Sequence, residues 1–201
     1  MLSQKIIERY EEKKDMSTVY MELDKIGLST NFINKVVETY KSPNLIIEKV
    51  TKKPYDLIKD VDGIGFLTAD KIALKGGLSP KSTERIKAYI NYYLEEQGQN
   101  GDSYVTAGEL LGNIYHTFEG KENIVEFYYN EKDEIIGNNV QTAMNELQDE
   151  NIINIEQNEN KSRRRVYLTK YFKLEKNISD NLKRLLNAEN HFNYIGWEEK
   201  V

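Results

Sequence analysis

The stretch Leu57-Ile58-Lys59-Asp60-Val61-Asp62-Gly63-Ile64-Gly65-Phe66-Leu67-Thr68-Ala69-Asp70-Lys71-Ile72-Ala73 leaves a chain few ways to fold. Leu57 and Val61 lie one helical turn apart, and Ala69, Ile72 and Ala73 take up the same spacing on the far side. Between them two glycines flank one apolar residue. The backbone can therefore turn tightly while Ile64 plugs the gap between the two helices. The second helix then begins with amide N–H groups that have no partner inside it, a ready site for one phosphate. Gly63, Ile64, Gly65 and the amides of Phe66, Leu67 and Thr68 make up that candidate site. The Thr68 hydroxyl stands near it and the Lys71 cation one turn further on. The same residues also suit a plain tight turn that packs a core and binds nothing. Asp62 reads as a cap on the turn, and Asp60 as a carboxylate near enough to weaken an anion's hold.

The series apolar-x-x-apolar-x-Gly-apolar-Gly-x-x-x-Ala resembles the helix-hairpin-helix motif of DNA-binding proteins. The wider frame is Lys53-Pro54-Tyr55-Asp56-Leu57 leading into Asp62-Gly63-Ile64-Gly65-Phe66-Leu67-Thr68-Ala69-Asp70-Lys71-Ile72-Ala73. It is similar to the N-terminal region of RecD/TraA-type ATP-dependent 5′–3′ DNA helicases, the exodeoxyribonuclease V alpha subunit among them. The resemblance is closest over 53–73 and looser over 17–50 and 102–172. It implies a non-catalytic region that holds DNA backbone phosphates without reading sequence, in the service of DNA repair and recombination. The implied partners are DNA, single-strand or duplex, and the helicase motor domain of the same full-length protein. ATP and magnesium would belong to that motor, so no cofactor is expected here.

Composition agrees with small helical units. The 201 residues allow one to two domains, and 39% hydrophobic with 30% charged side chains suits divided helical cores better than one large buried sheet. With no cysteine there are no disulfides or thiolate metal sites, and His116 and His191 stand far apart without a ligand pattern. The net charge of −5 does not advertise a nucleic-acid partner. The first hundred residues carry 16 basic and 15 acidic groups, the remainder 12 and 18. Phosphate held by backbone amides needs no strongly basic protein, but such binding should be weak and quickly lost with salt. Met1-Leu2-Ser3-Gln4-Lys5 leads into an amphipathic charged pattern rather than a signal peptide, and no apolar run approaches transmembrane length. A cytoplasmic protein with no membrane contact is the expectation.

The spacing predicts a mainly α fold: a tandem helix-hairpin-helix domain followed by a winged-helix-like domain with a small β-hairpin. The helical domain is placed at 1–98. It opens with a helix over 3–14, and Val19, Leu23 and Ile26 then lead to Gly27-Leu28-Ser29-Thr30. The segment 17–40 reads either as a degenerate copy of the main hairpin at 57–75, with Ser29 where a second glycine would stand, or as an ordinary helical hairpin. Ser42-Pro43 and Pro54 open further helices. Gly76-Gly77 ends the hairpin's second helix, and Ser79-Pro80 opens a long one that breaks at Gly98-Gln99-Asn100-Gly101.

Residues 99–175 form the winged-helix-like unit. Thr106 caps a first helix, a second follows around Glu122–Tyr129, and a third runs over Asn139–Asp149. Ile152–Glu156 and Arg165–Leu168 read as strands around a polar tip. The third helix offers Asn138, Gln141, Thr142, Asn145 and Gln148 outward, which suits either base contacts or packing on a neighbour, with Glu146, Asp149 and Glu150 opposing a phosphate backbone. At the tip, Lys161, Arg163 and Arg164, with Arg165 beside them, are either a phosphate contact or a solvated turn. Residues 176–201 are expected as a helix and linker toward the motor. Ile178, Leu182, Leu185 and Leu186 point inward, and Phe192, Tyr194, Ile195 and Trp197 form apolar surface.

Catalytic machinery is not visible. The nearest approach to a nucleotide loop, Lys75-Gly76-Gly77-Leu78-Ser79-Pro80-Lys81-Ser82, has Lys75 and Pro80 in both glycine slots. Asp60/Asp62 and Asp102/Glu109 lack a matching nucleophile or base. The competing function class is a protein-interaction module that docks a motor or a repair partner and touches DNA little.

Overall fold

A computed structural model describes residues 15–118, 126–129, 135–157 and 164–187. The fold is mainly helical with a small antiparallel sheet, as the sequence predicts. The expected helix over 3–14 lies outside the described residues.

The first part is built from short helices: α1 over 15–25, α2 (Thr30–Tyr40), α3 (Pro43–Lys52), a single 3-10 turn (Pro54–Asp56), α4 (Leu57–Asp60) and α5 (Phe66–Lys75). Each presents one or two apolar residues to a shared core of Leu23, Val36, Ile46, Leu57, Ile64 and Ile72. Pro43 takes the first helical position of α3, where its missing N–H costs nothing. The two hairpins follow one plan. Gly27 and Gly63 adopt left-handed φ values of 78° and 83°. Leu28 and Ile64 come next as buried plugs, and Ser29 and Gly65 then cap α2 and α5 in extended conformation. The Ser29 side chain makes no capping hydrogen bond.

The second core begins with α6 (Thr83–Gln99). The Ser82 hydroxyl accepts from the Arg85 amide at 3.2 Å and so sets its start, which corrects the expectation that Ser79-Pro80 opens this helix. Then come β1 (Tyr104–Thr106), α7 (Ala107–Phe118), β2 (Phe127–Tyr129), β3 (Ile135–Asn138), α8 (Asn139–Asp149), β4 (Ile153–Gln157), β5 (Arg164–Leu168) and α9 (Thr169–Leu186). The sheet order is β1-β5-β4, antiparallel throughout, and Val166 stands opposite Val105 on one side and Ile155 on the other. Ile86, Ile90, Leu110, Ile114, Leu147 and Val166 fill the space between helices and sheet. Thr106 and Glu109 cap α7 reciprocally, each side chain bonding the other's amide at 3.2 and 2.8 Å.

Two expectations fail. The helix placed around Glu122–Tyr129 is, in its described part, the strand β2, paired with β3. Three consecutive aromatics at 127–129 favour a pleated strand over a helix turn. In α9, Leu174, Ile178, Leu182, Leu185 and Leu186 are not inward but 54–84% exposed. The start of α9 meets β4 and β5, and its residues 173–187 are exposed. Phe192, Tyr194, Ile195 and Trp197 lie outside the described residues. Among the described residues no helix is long and apolar enough to cross a membrane.

Candidate nucleic-acid interface

The hairpin between α4 and α5 carries its glycines for two different reasons. Gly63 sits at φ +83°, a conformation that strains residues with a Cβ. Gly65 has an ordinary extended backbone, and a Cβ built there meets nothing within 4 Å. Packing therefore asks for no glycine at position 65; an approach from outside would. Ile64, only 3% exposed, is the plug the sequence predicts.

Gly65 opens α5. Its carbonyl already accepts from the Thr68 and Ala69 amides, each at 3.2 Å. The amides of Gly65, Phe66 and Leu67 find no acceptor among the described residues. The donor set is thus shifted by one from the expected Phe66, Leu67 and Thr68. The Thr68 side chain is half-buried beside these donors, and Lys71 is exposed and forms no ion pair among the described residues. Leu67 is 68% exposed, an apolar contact next to them.

One neighbour was not foreseen from the sequence. Lys35 of α2 reaches across and donates from Nζ to the Asp62 carbonyl at 2.8 Å, next to Gly63. Its signal was there: Lys35 follows Gly27 at the interval by which Lys71 follows Gly63. The Asp62 carboxylate does not cap the turn. Asp60, the other flanking carboxylate, accepts from the Tyr40 hydroxyl at 2.7 Å and from Lys49 at 3.2 Å. Those bonds, Tyr40's first, hold the Asp60 carboxyl below its usual range. Lys49 also binds Asp56 at 2.6 Å, so this charge is absorbed into a tie between α2, α3 and α4.

Behind the hairpin, α5 is locked to the second core. Asp70 receives Arg85 Nε at 2.8 Å and Nη2 at 2.7 Å, with both side chains under a tenth exposed. The Tyr55 hydroxyl donates to the same carboxylate at 2.8 Å. Burial and Asp70 together push the Tyr55 phenol far above its usual value. Arg85 also donates to the Pro80 carbonyl at 2.9 Å and lies 4.6 Å from the Phe118 ring centre. Beside it Phe66 stacks on Tyr55 and meets Tyr89 and Phe118 edge-on, with centroids 5.0–6.0 Å apart.

The other candidates are spread elsewhere. Arg164 is exposed at the start of β5, opposite Gln157; Lys161 and Arg163 lie outside the described residues. Arg165 is taken up by Glu156 at 3.8 Å and by the Tyr104 ring at 4.8 Å. On α8, Asn138 does not face outward but caps the helix, accepting from the Gln141 amide at 2.8 Å. Gln141, Asn145 and Gln148 are exposed. Glu146 and Glu150 are both held by Lys87 of α6. Among the described residues no group of acidic and histidine side chains is placed to hold a metal ion.

Compared with known proteins, residues 12–104 match the family model of the ATP-dependent RecD2 DNA helicase HHH domain. The matched span runs from α1 to β1 and contains both glycine hairpins and the whole of α6.

Proposed function

Residues 12–104 being a helix-hairpin-helix domain of the RecD2 helicase type, we propose that this chain holds DNA by its backbone, without reading sequence, for a motor that separates strands. The observation that carries this reading is the set of three acceptor-less amides at Gly65, Phe66 and Leu67, beneath an open Cβ position. An incoming phosphate oxygen needs that pairing of free donors and bare approach. Gly63 and Ile64 shape the turn, Thr68 adds a hydroxyl, and Lys71 and Lys35 supply the nearby positive charge. The order α6, β1, α7, α8, β4, β5, with the third strand between the other two, fits a winged helix in which β4 and β5 form the wing. Arg164 would then bring a second backbone contact, as the sequence expects also of Lys161 and Arg163. The hairpin and winged units share α6 as a common wall, and a cytoplasmic setting in DNA repair or recombination follows from the helicase context.

A second reading rests on α9. Its row of exposed Leu174, Ile178, Leu182 and Leu185 fits a docking helix for the motor, so the chain would serve as an interaction module with little DNA contact. The two are separated by fluorescence anisotropy with labelled single-strand, duplex and 5′-tailed DNA at low and moderate salt. The DNA reading expects salt-sensitive binding that falls in Lys71→Ala and Lys35→Ala, each lowering the salt slope by about one, with circular dichroism unchanged. Binding absent even at low salt would leave the docking role alone.

A further inference from the structure

A cleft of about 740 Å³ runs between the glycine hairpin and α6. That is the size of pockets that enclose small organic ligands, and like many of them it lies where two cores meet. Ile58, Ala88 and Ile152 give it apolar walls, and Asn91 and Tyr92 add an amide and an aromatic ring. Neither the Asn91 amide nor the Tyr92 hydroxyl has a hydrogen-bond partner among the described residues. Of the carboxylates lining the cleft, Glu95 is paired with Lys170 at 2.5 Å, Glu150 with Lys87 and Asp56 with Lys49, while Glu96 remains. An anion entering would meet Glu96 as well as Lys59, which also lines the cleft. A flat, neutral ring with polar edges would meet apolar walls, one amide and one phenol.

Tyr92 also lines a second, smaller cleft of about 380 Å³ together with Phe66 and Leu67, whose amides are among the free donors. Its ring leans on Phe66 at 5.9 Å. Free phosphate donors and a cleft walled by apolar and aromatic side chains thus open on the same three-residue turn. A nucleotide is the ligand whose parts match both.

We propose that the cleft between the hairpin and α6 receives one unpaired nucleobase of a DNA strand whose phosphate rests on the amides of Gly65, Phe66 and Leu67. The base stacks on Tyr92 and meets Asn91 with its polar edge. This rests on the phosphate reading above. Because a base must leave the duplex stack to enter, the site selects single-stranded DNA over duplex.

The test uses the full chain and two labelled single strands of equal length, one normal and one with abasic sites throughout. Anisotropy should give the normal strand about a tenfold advantage, the size of one stacked base. A 2-aminopurine in the normal strand should be quenched on binding. Ala88→Phe, which fills the cleft from α6, and Tyr92→Leu, which keeps bulk without a π-face, should both abolish the advantage and the quenching. Their salt-sensitive binding to the abasic strand should persist. Equal affinity of the unaltered protein for both strands, with salt sensitivity intact, would overturn the base site and leave the phosphate site standing. Failure to bind either strand would overturn the phosphate reading and the base site with it.

Discussion

Removing the Asp70 carboxylate should test what fastens the hairpin to the rest of the molecule. Asp70→Ala takes away both Arg85 bonds, at 2.8 and 2.7 Å, and the acceptor of the Tyr55 hydroxyl. The guanidinium keeps the Pro80 carbonyl and the face of Phe118 but loses the Asp70 carboxylate, where its side chain is only 6% exposed. Breaking a buried, bidentate pair from one side costs about 3–5 kcal/mol. That is a large part of a domain stability of roughly 5–15 kcal/mol. Taking both charges out avoids this penalty: Asp70→Leu with Arg85→Met should be about 2 kcal/mol or more better than the two single losses summed. Urea unfolding followed by circular dichroism measures all four proteins, and unchanged slopes confirm that stability alone has moved. A loss under about 1 kcal/mol for Asp70→Ala, or singles that simply add, would refute the idea that the pair acts as one buried unit.

Further outcomes follow from the glycines and from Asp60. Gly63→Ala, at φ +83°, should cost about 1–2 kcal/mol, whereas Gly65→Ala should leave stability within about 0.5 kcal/mol yet weaken DNA binding in anisotropy. Equal destabilisation by both would refute the assignment of different roles. Gly98→Ala would press a Cβ into the Tyr171 ring, so thermal melting should report a loss of about 1–3 kcal/mol. Because the Asp60 carboxyl is held below its unfolded value, the stability it adds is whole above about pH 4 and fades as pH falls through its folded value. Tyr40→Phe should shrink that acid-side fall in a pH series of urea midpoints.

Much of this fold could be read locally. Gly63-Ile64-Gly65 announces its turn because φ preference and plug residue are encoded side by side, and Thr106 with Glu109 announces a helix start in four residues. What escaped was non-local. Asp70 sits among the apolar residues of α5, and only the fold tells it that Arg85 waits on the next helix. Lys35 acts on a turn far along the chain, visible only once the two hairpins are side by side. The aromatic run of β2 gains its strand partner from β3 across an intervening segment. On α9, periodicity located the apolar stripe, but periodicity says which residues share a face, never what covers it. The amide donor set moved by one residue for a local reason instead: the Thr68 amide is engaged by a carbonyl only three residues back.

Phe66 faces two ways: its backbone amide opens α5, and its ring belongs to the second core, the residue as a whole being 1% exposed. A strand tugged across this hairpin would pass its load through Phe66 into Tyr89 and Phe118 and through Asp70 into Arg85. The joint between the two halves is then a rigid aromatic coupling rather than a hinge. Tension would swing both halves together as a single lever.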